Sequence, residues 1–295
     1  MTQVFKSANN ITLNHIFEKI EPFTFPPIRK KIQTMPLQEP FTGVWSMEGN
    51  EMTGIILADR KKNISELFSF FVSPEKRNQN LGNQLLSMLE SKLQKEGVTE
   101  IRSRYRSDWG SVAVIEKMIG SHGWRNPELL RIIAETNISE YEKANWIQVK
   151  IPNEYSVFPW QEITHSDREN INDLLKTGKV PREFNPFQHE DKIFLPVSTG
   201  IRYKGSIAGW NIAFRLKEDM LEYNNLFLME EHRMTGLSIP LLFRSFGEQY
   251  RSTNIPKATW MINADNRPIM KIANRIAGGF LSKFVEVRTS VKILS

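Results

Sequence analysis

The chain contains no cysteine, so disulfides, thiol nucleophiles and thiolate metal sites are excluded together. Its five histidines are scattered, with no HxxxH or HExxH spacing, and no metal site is expected. No apolar run approaches the roughly 18 residues needed to cross a bilayer. The opening Met1-Thr2-Gln3-Val4-Phe5-Lys6 lacks the basic-then-apolar layout of a signal peptide. These absences predict a cytoplasmic chain without membrane contact. Nucleic acid is not an expected partner either. The net charge of +6 is spread evenly over the two halves. The short basic clusters Arg29-Lys30-Lys31 and Arg60-Lys61-Lys62 have no interleaved aromatics.

What is present is material for packed cores: 40% hydrophobic residues, with 18 Phe and 7 Trp. A length of 295 residues suits two domains of about 150 residues each. An internal repeat supports that division. At an offset of 156 residues, Glu66 falls on Glu222, Phe71 on Phe227, Arg77 on Arg233, Leu81 on Leu237 and Leu85-Leu86 on Leu241-Leu242. Gly123-Trp124 falls on Gly279-Phe280, and the alignment is read as gapless from Glu66 to Trp124. Just upstream, an offset of 155 places Gly54 on Gly209.

The elements follow from periodicity. In the first half, Glu51–Asp59 and Glu66–Val72 are β-rich apolar runs separated by a polar turn. Leu81, Leu85, Leu89 and Leu93 then recur every four residues on one helical face that ends at Gly97. A strand near Thr99–Tyr105, a helix with Val112, Ile115, Met118 and Ile119, and a strand at Leu129–Ala134 close the half. The second half repeats this order, with strands near Ile207–Phe214 and Tyr223–Met229, a helix over Leu237–Tyr250, a strand at Ala258–Ile262, a helix at Ile269–Ala277 and a last strand at Phe284–Ile293. Leu13–Ile20 and Arg168–Leu175 are short helical candidates at the less regular starts. Ile138–Pro152 is a mixed-charge connector, and the domains are read as 1–147 and 148–295. Lys179–Pro196, with Pro181, Pro186 and Pro196, reads as an irregular insertion.

In each half a strand feeds a tight turn and then a helix. The first turn is Arg77-Asn78-Gln79-Asn80-Leu81-Gly82, and the second is Arg233-Met234-Thr235-Gly236-Leu237-Ser238. Such a junction leaves helix N-terminal amides unpaired at the positive end of the helix dipole, which makes a cradle for a pyrophosphate. Gly and Asn suit it because they tolerate left-handed backbone.

At these residues the chain resembles the GNAT superfamily of acyl-CoA N-acyltransferases, whose signature is Arg/Gln-x-x-Gly-x-Gly/Ala. Asn80 stands for the first glycine in one copy and Ser238 for the final small residue in the other. The resemblance implies an α/β fold of two tandem domains, each a splayed mixed β-sheet flanked by helices, with acetyl-CoA or another acyl-CoA in the gap. It implies direct attack by a primary amine of a small molecule or peptide on the thioester. Cofactor-binding residues are then Phe71, Val72, Arg77, Gln79, Asn80, Leu81, Gly82 and Asn83. Glu66 matches the place of a general base, and Tyr105 stands in for the proton-donating tyrosine that the following helix lacks. The second copy offers Glu222, Arg233, Thr235, Gly236, Leu237, Ser238 and Asn266. The first domain is favoured for the acyl-CoA, because Glu230-Glu231 precede the second loop and would repel phosphates. Two alternatives stay open: a non-catalytic tandem scaffold or acyl-CoA-binding protein, and transfer of a fatty acyl rather than an acetyl group.

Overall fold

A computed structural model describes residues 3–9, 23–24, 41–143, 150–276 and 279–294. The chain divides into two compact units, one of residues 1–130 with 286–295 and one of residues 131–285. The expected helix Leu13–Ile20, the cluster Arg29-Lys30-Lys31 and the boundary between 147 and 148 lie outside the described residues.

The first unit contains strands β1 (Gln3–Asn9), β2 (Phe41–Glu48), β3 (Glu51–Lys61), β4 (Ile64–Val72) and β5 (Glu100–Arg106), with helices α1 (Leu81–Lys95) and α2 (Val112–Ser121). The strand β6 (Glu128–Asn137) follows in sequence. The second unit holds β7 (Tyr155–Pro159), α3 (His165–Lys176), β8 (Thr199–Tyr203), β9 (Ser206–Lys217), β10 (Met220–Leu228), α4 (Ser238–Ser252), β11 (Lys257–Asn263) and α5 (Arg267–Ile276). The last strand, β12, is Lys283–Ile293. The compact units do not coincide with the two repeats, and the first is built from two separate stretches of chain. β6 ends the first repeat but pairs with β11, Asn137 opposite Lys257 through Arg131 opposite Asn263. β12 ends the second repeat but pairs with β5, Val287 opposite Arg106 through Ile293 opposite Glu100.

The first unit orders its strands β1-β2-β3-β4-β5-β12, and the second β6-β11-β10-β9-β8-β7. Each has one parallel pair, and that pair is short. β4 meets β5 only from Ile64 opposite Glu100 to Leu67 opposite Ser103. β10 meets β11 only from Met220 opposite Lys257 to Tyr223 opposite Trp260. Beyond those points the strands part, giving each unit the expected splay. A bulge sits where the parting begins: Phe68 is the extra residue against β3, and Asn224 the extra residue against β9. Bulges bend the strand that carries them, so the kink and the gap share one cause.

The parallel registers correct the gapless alignment. Ile64 and Met220 are 156 apart, whereas their partners Glu100 and Lys257 are 157 apart. One extra residue therefore lies between α4 and β11. The first unit leaves α1 through Gly97 in the left-handed region (φ 81°), which no β-carbon obstructs. The second leaves α4 through extended Thr253 (φ −137°) and takes the longer route. Buried Gln249 holds that route, donating Nε2–H to the carbonyls of Ile255 at 2.9 Å and Lys257 at 3.0 Å.

The cores lie between sheet and helices. Leu81, Leu85, Leu86, Leu89 and Leu93 of α1 are all buried against Val44, Ile56, Ile101 and Tyr105. In the second unit Leu242, Phe243 and Phe246 of α4 pack on Tyr223, Trp260 and Phe280. Burial of this kind is the main stabilising term, about 25 cal/mol per Å² of apolar surface. Trp124 and Phe280, the closing aromatics of the repeats, are both buried.

Candidate functional site

The two strand–loop–helix junctions share their construction. Arg77 donates Nε–H to the carbonyl of Val72 at 3.1 Å, and Arg233 donates Nε–H to that of Leu228 at 3.0 Å. Ser73 N–H meets the Thr53 carbonyl at 2.9 Å, and Met229 N–H meets the Ala208 carbonyl at 2.9 Å. The first loop has two left-handed residues, Asn78 (φ 60°) and Asn80 (φ 63°), and Gly236 (φ 75°) matches Asn80 in the other. Each helix then begins without a side-chain cap, so its first amides are left for a ligand or water. Leu81 and Leu237 are buried and anchor the helix starts, while Arg77, Gln79, Asn80, Arg233, Thr235 and Gly236 are exposed.

Several candidate side chains are committed within their own loops. Gln79 donates to the Glu75 carbonyl at 2.8 Å, Asn83 to Asn80 Oδ1 at 2.6 Å, and Thr235 to the His232 carbonyl at 2.5 Å. Asn266 accepts the Ile269 N–H at 3.4 Å and so acts as a cap for α5. Gly82 packs at the start of α1, where a β-carbon would sit 3.5 Å from the Phe70 ring. Phe71 is on the opposite face of β4, 5.1 Å from the Phe23 ring. Ser238 opens α4.

A second equivalent pair explains why both loops lie close to the preceding strand. A β-carbon on Gly54 would stand 2.8 Å from Leu85 Cδ1 and 3.3 Å from the Phe71 carbonyl oxygen. On Gly209 it would stand 2.4 Å from the Phe227 carbonyl oxygen. Only glycine permits this approach.

The carboxylates differ. Glu66 and Glu222 both precede the bulge by two residues. Glu66 is ion-paired, with Arg104 Nε 3.1 Å from its Oε1. At the 157-residue offset, Met261 takes the position of Arg104. Burial pushes the Glu222 carboxyl above its ordinary pKa, only partly opposed by a hydrogen bond from Asn224. Glu222 also lines a cleft of about 810 Å³, shared with Arg182, Lys192, Phe214, Arg215 and Asn224.

Tyr105 is buried, and its hydroxyl donates to Glu116 Oε1 at 3.1 Å. Burial and the Glu116 carboxylate raise its pKa well above the usual phenol value, so it stays protonated throughout the physiological range. Arg288 of β12 holds the same Glu116 oxygen at 2.8 Å. The side chain is therefore fixed from two directions.

Sequence order hid the cationic wall of the cleft. Arg182 and Lys192 lie in the aperiodic Lys179–Pro196 stretch, and Arg215 nears Glu222 only through the hairpin register that sets Arg215 opposite Leu221. Among the described residues no group of three His, Asp or Glu is placed to hold a metal, and no helix is long and apolar enough to cross a membrane.

Comparison with known proteins agrees with this geometry. Residues 18–118 match the family model described as an acetyltransferase (GNAT) domain. A tandem GNAT protein from the clavulanic acid biosynthesis pathway is 12% identical and covers 99% of this chain and 98% of its own, at a TM-score of 0.62. A GCN5-related N-acetyltransferase from Sphaerobacter thermophilus is 16% identical over 99% of this chain and 95% of its own, at 0.60. A glucosamine N-acetyltransferase region of a fungal multi-domain enzyme is 13% identical, covering 98% of this chain and 38% of that one, at 0.64. No curated protein sequence matches significantly. With residues 18–118 matched by the family model and the whole chain sharing the doubled architecture of these structures, the chain has the fold of a tandem GNAT protein.

Proposed function

We propose that the protein is an acyl-CoA-dependent N-acyltransferase acting on a primary amine, with its chemistry in the second unit. The observation that carries this reading is the position of Glu222: at the edge of the splay, in a cleft, with no ion-pair partner for its carboxylate among the described residues. Acetyl-CoA or another acyl-CoA fits the chain's own residues on three counts. The parallel strands part at Tyr223 and Trp260, Gly236 makes the left-handed turn, and α4 starts uncapped. The amides at the start of α4 and the guanidinium of Arg233 would hold the phosphates. Glu230 and Glu231 lower that affinity without blocking the loop. In the first unit, Arg77 and the amides of Leu81, Gly82 and Asn83 offer an equivalent cradle, but Glu66 there is engaged by Arg104.

The bound acyl-CoA supplies an acyl group activated as a thioester. Glu222 takes the proton of the amine as its nitrogen bonds to the carbonyl carbon and the carbon–sulfur bond breaks. Deprotonated Glu222 is the working form, and its raised pKa makes it a stronger base than an ordinary carboxylate. The sulfur leaves as a thiolate and is protonated from solvent. Tyr105 has no counterpart here, since Ile262 holds its register position in β11. A cytoplasmic address is part of the same reading.

The test is thiol release from acetyl-CoA and from longer acyl-CoAs in the presence of an amine panel, with product mass measured. Amine-dependent release with a mass gain equal to the acyl group supports the reading and gives the acyl length. Binding of acyl-CoA without any amine-dependent release would favour the non-catalytic scaffold.

A further inference from the structure

The cleft around Glu222 is a built feature. Its outer wall, the loop spanning 182–192, has no regular strand or long helix, yet aromatic side chains fix it. Phe184 packs on Phe227 with ring centroids 5.3 Å apart. Phe187 lies 6.2 Å from the Trp160 ring and 5.0 Å beneath the Arg168 guanidinium. Phe194 N–H donates to the Ala213 carbonyl at 2.8 Å, closing the loop onto β9. A loop held this way positions its charged residues instead of leaving them to wander.

Those charges are unbalanced. Arg182, Lys192 and Arg215 line the cleft, against the carboxylates of Glu183 and Glu222. Nearby Glu190 is already taken by Arg168 at 2.6 Å. Among the described residues Arg215 donates to a neutral acceptor, the Glu218 carbonyl at 3.2 Å. Burial holds Glu222 toward its neutral form, and among the described residues its carboxylate has no ion-pair partner, although Arg182, Lys192 and Arg215 line the same cleft. The volume of about 810 Å³ falls among small-molecule sites.

We propose that this cleft selects a small acceptor carrying both a primary amine and a negatively charged group, the anion held by Arg182, Lys192 and Arg215 while the amine reaches Glu222. The proposal rests on the acyltransferase reading for its amine end, while its anion end stands on the cleft alone. Guanidinium and ammonium groups suit carboxylate and phosphate equally as ion-pair partners, arginine adding bidentate geometry. A neutral amine of the same length would bring no anion to these three cations. A long peptide would have to enter a space closed on one side by the 182–192 loop.

Matched amines separate the possibilities: phosphoethanolamine against ethanolamine, and 4-aminobutyrate against its amide. Each is assayed for acetyl transfer and, without acetyl-CoA, for calorimetric binding. The anionic member of at least one pair should have a kcat/KM about tenfold higher, as expected for a charge-assisted contact. The preference should shrink with added salt. In the double variant Arg182→Gln/Lys192→Gln it should collapse through KM for the anionic member. The single variant Arg215→Gln should reduce it independently, which keeps the test intact if the double variant folds poorly. Equal rates for both members, or a preference that survives the substitutions, would overturn the proposal. If no amine is acetylated but phosphoethanolamine still binds to the wild type and not to the variants, the cleft reading stands and the acyltransferase reading falls. Absence of binding and of preference together would sink the cleft reading.

Discussion

Arg104 Nε lies 3.1 Å from Glu66 Oε1 in the first unit, and Met261 takes the position of Arg104 in the second. One difference in side chain thus separates two carboxylates that the repeat makes equivalent. Met261→Arg should import the ion pair. An opposite charge at that range favours the charged carboxylate over the neutral acid. The acid limb of the kcat/KM profile should move to lower pH, measured with a saturating acyl donor. An unmoved limb would mean that Glu222 does not set it.

Stability should carry the same signature. Because burial raises the Glu222 carboxyl pKa, the folded chain holds that proton more tightly than the unfolded chain. The contribution is fully present below the unfolded value and is lost as pH rises through the folded one. Glu222→Gln removes the group and its pH slope. The stability of the variant relative to the wild type should therefore improve as pH rises from about 4 toward neutrality. Urea denaturation at a series of pH values checks this, and a relative loss with rising pH would contradict it.

The paired glycines give a graded prediction. Gly209→Ala drives a β-carbon to 2.4 Å from a backbone oxygen, which cannot swing aside, while Gly54→Ala first meets the flexible end of Leu85 at 2.8 Å. Both should destabilise, within the roughly 1–3 kcal/mol of overpacked sites, with Gly209→Ala the worse. Reversal of that order in denaturation midpoints would refute the steric account.

Much of this was legible in the sequence because α1 and the strand–loop–helix junctions repeat strong local signals. Leu81, Leu85, Leu89 and Leu93 announced the helix, and Arg77 and Arg233 marked two loops that close by the same hydrogen bond. Strands β1, β2, β7 and β8 are not legible in the sequence. β2 is buried on both faces from Phe41 to Met47, so it shows no alternation, and β7 and β8 have only five residues each. The exchange of β6 and β12 left no local trace, since pairing partners are chosen by tertiary contact. Glu222 is among the candidates the sequence offers, but its difference from Glu66 is not legible there: the one-residue shift at β11 exchanges Arg104 for Met261, and a gapless alignment hides it.

The exchanged strand β12 is anchored by charge. Lys292 Nζ lies 2.6 Å from Glu90 Oε2, and Glu90 is buried beneath Trp124, whose indole N–H donates to Oε1 at 2.8 Å. Lys292→Met would leave the buried Glu90 carboxylate with the Trp124 indole and, at 3.4 Å, the His122 ring as its remaining partners, a loss of up to about 3 kcal/mol, as for breaking a buried pair. The double variant with Glu90→Gln should recover part of the loss. A single-variant cost under about 1 kcal/mol, like that of a surface pair, would show that the anchor is not charge.

The central claim is that Glu222 takes the proton of the attacking amine. Glu222→Gln and Glu66→Gln, assayed side by side for amine-dependent thiol release from acetyl-CoA, test it most directly. Loss of general-base assistance costs about 100- to 10,000-fold. That loss should fall on Glu222→Gln, with acetyl-CoA affinity retained and the deficit shrinking at high pH as more of the amine becomes neutral. Glu66→Gln should stay within a few-fold of wild type. Full activity in Glu222→Gln with a collapse in Glu66→Gln would move the chemistry to the first unit and contradict the account.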